Sequence, residues 1–531
     1  MRVCFLQSQI HRPMDIRSAS PCIQRIPSSI DRHQPPSLLS QKKNKQKKSI
    51  PSSTPPPPPR RRGKKKRKHR PAMAAAARSL PPWVVLDPVV RLHKPDGKEN
   101  PRWAIIKCET TAYVTLRADV EGLRPDDELS PFDDGLKLLA LVDEPPWPSR
   151  LSIRLDGDPD DEDRRGFLGG VLLADAGFLV LSSCLPGTRG DNSYLVCDAA
   201  TDNPSLKMFP TVPMRFRPSV TPLPLRQPDG DGYLLVLFAM DMDADADDDG
   251  YLPQVLCLLP SSAPFDRHCW GTRRPIFPSE KPKKFTAHHA FSFQGSAYWV
   301  DLGQGILSCS CHDLISNTND VQFRYIALPT GCYVDFDSLY LTAPPSQYRD
   351  IRCVGNSIRF VSIEGYNTLP GYNMLLSMWE LMMPSSGQWR KVGSIRVGRL
   401  WEQEGFRRSG LLTNTSPTHP MLSTEDDGVV YLLMGEFYAE DEKDRSLYAF
   451  SVDMVTCKFV LAWHLPRWRH VGSPSLMGSD IFKHIKKHNL CQLIPPNKRD
   501  RGEASVLTVR PRKMQRDHLG TGSSRVQEKM R

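Results

Sequence analysis

The stretch from Phe291 to Pro329 constrains the fold of this chain more than any other. Phe291 and Phe293 alternate, Gly295-Ser296 turns the chain, and Ala297, Trp299 and Asp301 begin a second alternating run. Gly303 and Gly305 break that run, Ile306-Leu307 open a third that ends at Asp313-Leu314, and a last strand from Phe323 to Leu328 stops at Pro329. Apolar residues at every second position predict half-buried strands, and the glycines between them predict tight turns. Short strands in antiparallel succession make a small sheet, the unit of a propeller blade.

The same outline recurs loosely along the chain. Gly170–Ala174 and Gly177–Ser182 read as a hairpin, followed by Tyr194–Asp198 and Leu206–Pro210. Tyr233–Met240 and Gln254–Leu259 belong to a second copy, and the opening stretch is the third. Ile351–Val354, Ile358–Ile363, Leu375–Leu381 and Trp389–Val392 make a fourth; Val429–Met434, Ser446–Val452 and Phe459–Trp463 make a fifth. The spacing of equivalent strands, roughly fifty to seventy residues, exceeds the ~40–50 of familiar propeller repeats. Strands near Trp83–Leu92, Trp103–Leu116, Leu136–Val142 and Arg150–Leu155 supply a sixth unit that would close a ring and remove sheet edges. The expectation is an all-β chain: a divergent β-propeller-like array of about five to six small antiparallel sheets, with a β-sandwich array as the alternative and disordered tails. Helix is expected only at Asp480–His488.

Charge divides the chain in the same places. Of the formal net +12, residues 1–72 carry +17 and residues 498–531 carry +6, leaving −11 for 73–497. A nucleic-acid-binding globule keeps its positive charge on a folded face, so an acidic middle argues against one. Residues 1–78, with Pro55–Pro59 and the basic run Arg60–Arg70, lack the apolar content to offset chain entropy and are expected to be a disordered extension. Residues 80–475 form the β-rich domain, and 476–531 a short helix and a basic disordered tail. Met73-Ala-Ala-Ala-Ala reads like an ordinary protein start, so leader sequence, a nuclear-import segment and an organelle transit peptide all stay open for residues 1–72. Thirteen cysteines in no regular spacing, without a convincing secretory signal, point to reduced thiols and an intracellular location, nucleus or cytoplasm. Nuclear location depends on the run at 60–70 being expressed. No apolar run approaches the length of a membrane span.

Tyr298-Trp-Val-Asp-Leu-Gly-Gln-Gly-Ile-Leu307, with Asp313-Leu314 and Phe323-Arg-Tyr-Ile-Ala-Leu-Pro329, resembles a plant family expanded in grasses, the domain of unknown function 1618 family. Pro-Pro-Trp83-Val-Val-Leu-Asp87 is similar to how such proteins begin, and the resemblance extends over about residues 80–470. Cys309-Ser-Cys-His departs from the plainer ending expected before Asp313. The layout is also similar to the kelch-like domains that follow F-boxes, although no F-box helix is visible upstream. The family brings no established activity. Its signature residues here, Tyr298, Trp299, Asp301, Leu302, Gly303, Gly305, Ile306 and Leu307, are expected to be structural.

Each candidate for chemistry has a plainer reading. Asp245, Asp247, Asp249 and Gly250 open like a calcium loop, but Leu256 stands where a bidentate carboxylate is needed, which leaves a solvated acidic loop. Cys309, Cys311, His312, Cys332 and Cys353 fit no zinc spacing; on an alternating strand Cys309 and Cys311 share a face and His312 points away. His288-His289 and His268-Cys269 carry no local catalytic signature. Trp299, Trp379, Trp389 and Trp463 sit on alternating strands and read as packing residues, and Arg467-Trp-Arg-His470 as a solvated edge. No catalytic, cofactor-binding or metal-ligating residue is assigned, and no cofactor is expected. The expected function is a non-catalytic scaffold for an unknown protein partner. The alternative is an enzyme or small-ligand protein with its site in the channel, and a weaker one is a nuclear factor using the basic N-terminus. A channel plugged by apolar side chains favours the scaffold; converging carboxylates, histidine and arginine favour the ligand site.

Overall fold

The computed structural model describes residues 80–491 apart from connecting segments, of which 111–135, 155–167, 436–446 and 466–475 are the longest. The extension 1–78, the basic run at 60–70, the tail beyond 491 and Arg467–His470 lie outside the described residues.

The described residues are nearly all β and fold, in sequence order, into one large curled sheet of twelve strands and four smaller, mainly antiparallel sheets. The first contains Leu168–Asp175, Phe178–Cys184, Ser193–Asp198 and Ser205–Pro210. The second is built on Tyr233–Asp241, Gln254–Pro260 and Gly271–Ile276, with Leu223–Arg226 along its inner edge. The third is His289–Phe293, Ser296–Asp301, Gly305–Ser310 and Arg324–Ala327. The fourth runs Arg349–Val354, Ser357–Glu364, Leu375–Met383, Gln388–Arg396, and the fifth Thr418–Leu422, Val429–Gly435, Leu447–Asp453, Lys458–Leu465.

Two hairpins show why the pattern was readable. Gln294 and Gly295 adopt φ of 46° and 74°, and Ala176 and Gly177 adopt 49° and 83°. Positive φ at both central residues is the turn whose twist matches paired strands, and glycine at the second position adopts it without strain. The aspartates that end the alternating runs have a shared purpose. Asp198 accepts the N–H of Ala200, Asp301 those of Gly303 and Gln304, and Asp453 those of Val455 and Thr456. Each carboxylate thus folds the chain back at a strand end.

Packing is circular. One core joins the first, second and third sheets, with Phe178, Val236, Phe238 and Trp299 among its residues. A second joins third and fourth (Tyr298, Ile306, Phe360, Trp379), and a third joins fourth and fifth (Met378, Leu432, Phe450). Trp83 and Val85 then pack on the fifth sheet, while Val84 and Leu86 pack with the first. Val84–Leu86 pairs with Met477–Ser479 from the far end of the chain, Val84 opposite Ser479. The expected sixth unit is therefore not free-standing: Val89–Leu92 pairs with both Pro148–Arg154 and Leu168–Asp175, so the N-terminal strands run on into the first sheet.

Two local expectations are corrected, and one pairing was not foreseen. Cys311 and His312 are not on the strand: Ser310 accepts the N–H of His312 and caps a helix, Cys311–Ile315. Asp320–Gln322 leaves the third sheet and pairs in parallel with Gly271–Ile276 of the second. Beyond Ile481–His484, short helices occur at Val397–Glu402 and Glu404–Arg408. They fold there because Val397, Leu400 and Phe406 drop into the fourth–fifth core.

Candidate functional site

The first strands of successive sheets approach one another: Leu223–Arg226 meets His289–Phe293, Arg349–Val354 meets Thr418–Leu422, and Thr418–Leu422 meets Met477–Ser479. Where these inner strands meet, at what we term the throat, polar side chains from them and from the segment after Met477–Ser479 lie near one another. Asp350 is 4% exposed, and its Oδ2 accepts both the Leu422 N–H at 3.0 Å and Arg352 Nε at 3.1 Å. One carboxylate oxygen thus ties the fourth sheet to the fifth and aims a guanidinium. The Ser292 N–H of the third sheet donates to Asp175, at the end of the first sheet's inner strand. Ser479 Oγ donates to the Ala174 carbonyl at 3.2 Å and accepts the Ile481 N–H at 3.1 Å, which places Asp480 and His484 beside Asp175. His484 Nε2 lies 3.3 Å from Asp480 Oδ2.

Electrostatics follow from this placement. Asp175 is crowded by protein yet keeps some accessible surface. Burial, then the negative charge of Asp480, pushes its carboxyl up to about 6, against the pull of Arg352, the Ser292 N–H and His484. Burial holds the His289 imidazole down at about 4, and its Nε2 is buried without a hydrogen-bond partner. His419, 3% exposed on the neighbouring inner strand, is held down to about 3 by burial. It has φ of 51°, where the register slips between Thr418 and Met421. Such bulges re-aim side chains. Cys353 is pushed well up by burial, with Asp175 and Asp480 adding to the shift, so its thiol is a poor nucleophile.

The sign of the Asp175 shift sets a testable pH dependence. A folded pKa of about 6 against an ordinary 3.8 means the protonated form suits the folded state. That stabilising contribution is full below about pH 4 and is lost as pH rises through 6. Above this, the charged group costs the fold at most about 3 kcal/mol. Asp175→Asn keeps the shape and removes the charge, so it should raise stability at pH 8 by about 1–3 kcal/mol and leave it unchanged at pH 4. Urea unfolding at the two pH values checks this; equal effects at both would refute the perturbed carboxyl.

The residues singled out from sequence lie elsewhere. Tyr298, Trp299, Leu302, Ile306 and Leu307 are core residues, each at most 3% exposed. Asp301 also accepts the Thr286 N–H at 2.9 Å, and burial still raises its carboxyl, with His288 3.8 Å away acting to lower it. A Cβ on Gly305 would stand 2.6 Å from the Ile326 carbonyl and the Tyr325 ring, so only glycine lets these strands close. Gly303 offers its N–H to the Asp301 turn. Trp379 packs on Phe360, Trp389 donates its indole N–H to the Ala327 carbonyl, and Trp463 stacks on Tyr431. Cys309 is in the first core, Cys332 in the second, and His312 is exposed. Among the described residues no group of three or more His, Cys, Asp or Glu is arranged to hold a metal ion. In the acidic loop, Asp241 and Asp247 accept N–H groups of the loop itself. The throat residues Asp175, Asp350, Arg352, Asp480 and His484 were not singled out. For Asp175, Asp350 and Arg352 the only signal was polarity on a strand, and for Asp480 and His484 polarity at the expected helix, neither of which says which segments meet. No helix among the described residues is long and apolar enough to cross a membrane.

Comparison with known proteins agrees with the sequence for one segment. Residues 299–431 match the family model described as "Protein of unknown function (DUF1618)". No curated protein matches the chain. Solved structures align only distantly. Bombyx mori GH32 beta-fructofuranosidase BmSUC1 is 11% identical, with a TM-score of 0.23, over 56% of this chain and 62% of that one. Trypanosoma rangeli sialidase is 8% identical, with a TM-score of 0.25, over 57% and 48%. Human WBSCR16 is 9% identical, with a TM-score of 0.25, over 64% and 82%. The chain thus spans less than two thirds of the length of the first two, and likeness at this level carries no argument about activity.

Proposed function

We propose that this protein, whose residues 299–431 belong to that family, binds a small hydroxyl-bearing molecule in the throat between its inner strands. The observation that carries the reading is the convergence of Asp175, Arg352, Asp480 and His484 from three separate parts of the chain, each still partly accessible. Two carboxylates accept, a guanidinium donates, and an imidazole does either, which suits a ligand whose hydroxyls both donate and accept. The excess of carboxylates disfavours polyanions. With its carboxyl near 6, Asp175 is suited to exchange a proton with a bound hydroxyl near neutral pH.

Thermal denaturation of the full chain with polyols, sugars and sugar acids tests the reading. At least one hydroxylated compound is expected to raise Tm with saturation, and Arg352→Gln to weaken it by about tenfold, the loss of a charge-assisted hydrogen bond. Failure of the whole set on the folded wild type, or saturation unchanged in Arg352→Gln, would rule the throat out. The protein-interaction scaffold is the second reading, supported by Met214, 88% exposed between buried Val212 and Phe216. Met214→Asp would then abolish partner capture without changing Tm.

A further inference from the structure

A second concavity lies away from the throat, on the outer side of the fourth sheet. The turn before Leu375–Met383 contributes Tyr372 and Asn373, the end of Gln388–Arg396 contributes Arg396, and the two short helices contribute Trp401 and Arg407, with Thr413 closing the rim. They line a shallow, largely open depression of about 530 Å³, a volume in the range of small-molecule sites. Its wall depends on close approach: a Cβ on Gly398 would stand 2.8 Å from the Tyr372 carbonyl, and one on Gly371 3.2 Å from the Trp401 ring.

The charge of this cleft is unbalanced. Arg399 also lines it but is paired with Glu402 at 3.0 Å, and Arg408 outside it is paired with Glu404. Arg396 and Arg407 have no carboxylate partner among the described residues. The Trp401 Nε1–H is buried and meets no acceptor. Buried donors nearly always find a partner, and this one stands in the wall of a cleft that holds two unbalanced guanidinium groups. Arginine's planar fork is matched to phosphate oxygens, and the Trp401 and Tyr372 rings offer flat apolar surface beside it.

We infer that this cleft binds a small aromatic phosphate, with Arg396 and Arg407 on the phosphate, the Trp401 N–H on one of its oxygens, and the ring of the ligand against Trp401 and Tyr372. The site is distinct from the throat in both location and charge. Its ligand is an anion, where the throat's excess of carboxylates disfavours one.

Isothermal titration of the full chain with adenosine monophosphate and phenyl phosphate tests the inference, with inorganic phosphate and adenosine as the separated halves. The joined compounds should bind at least about tenfold tighter than either half, and binding should weaken as salt rises. Arg396→Gln/Arg407→Gln, both exposed and so harmless to folding, should weaken binding on the order of 30-fold, as loss of two charge-assisted contacts implies. Trp401→Phe keeps the ring face and removes the donor, and should cost about 3–10-fold. No saturable binding at millimolar ligand, inorganic phosphate binding as tightly as the aryl phosphates, or affinity unchanged in the double variant would each overturn the inference.

Discussion

Asp350→Ala should lower the unfolding free energy by about 3–5 kcal/mol, among the largest losses expected of any single side chain here. The carboxylate is buried and one oxygen accepts from both Leu422 N–H and Arg352 Nε. Its removal strands a backbone donor at the fourth–fifth sheet junction and leaves a largely buried guanidinium, 19% exposed, without its partner. An orphaned buried donor costs about 1–3 kcal/mol, and an unpaired buried charge more. The double variant Asp350→Ala/Arg352→Ala should recover part of the loss, because the stranded charge is then gone. Urea unfolding of the single and double variants reads both effects, and a loss under 1 kcal/mol for the single variant would show that the junction does not rest on this carboxylate.

Trp299→Ala should cost a similar amount, about 3–5 kcal/mol, through a different mechanism. The indole is 0% exposed and packs edge-on against Phe238 at 5.0 Å and Phe323 at 5.7 Å, so it joins the second and third sheets. Alanine leaves a cavity that the two rigid aromatic neighbours cannot collapse. Trp299 Nε1 has no hydrogen-bond partner, so Trp299→Phe forfeits no bond and should cost less than about 2 kcal/mol. Similar losses in the two variants, measured by thermal unfolding, would contradict a packing role.

The two substitutions mark what could and could not be read along the chain. Trp299 was legible because Ala297, Trp299 and Asp301 alternate and glycines bound the run, and neighbouring residues alone decide such a pattern. Gln294-Gly295 and the strand-ending aspartates were legible for the same reason. The helical start at Cys311 was missed because period-2 alternation continues into it, and Ser310 as a cap is one weak signal among many serines. The parallel pairing of Asp320–Gln322 with Gly271–Ile276 joins residues nearly fifty apart, and nothing local encodes it. Asp350 was unreadable in principle, since a buried aspartate on a strand becomes intelligible only when Leu422 is known to present its N–H.

Turn chemistry and two-residue periodicity act within a hairpin, so the hairpins and their order along the chain were already written in the residue pattern. Ring closure was foreseen as a need but not as a solution: Val84–Leu86 meets Met477–Ser479 across nearly four hundred residues. The throat depends on that closure, because Asp480 and His484 reach Asp175 only once the C-terminal strand is docked beside Ala174. Burial and the neighbouring carboxylate then set the Asp175 pKa, and both arise from the convergence of distant segments rather than from any one of them.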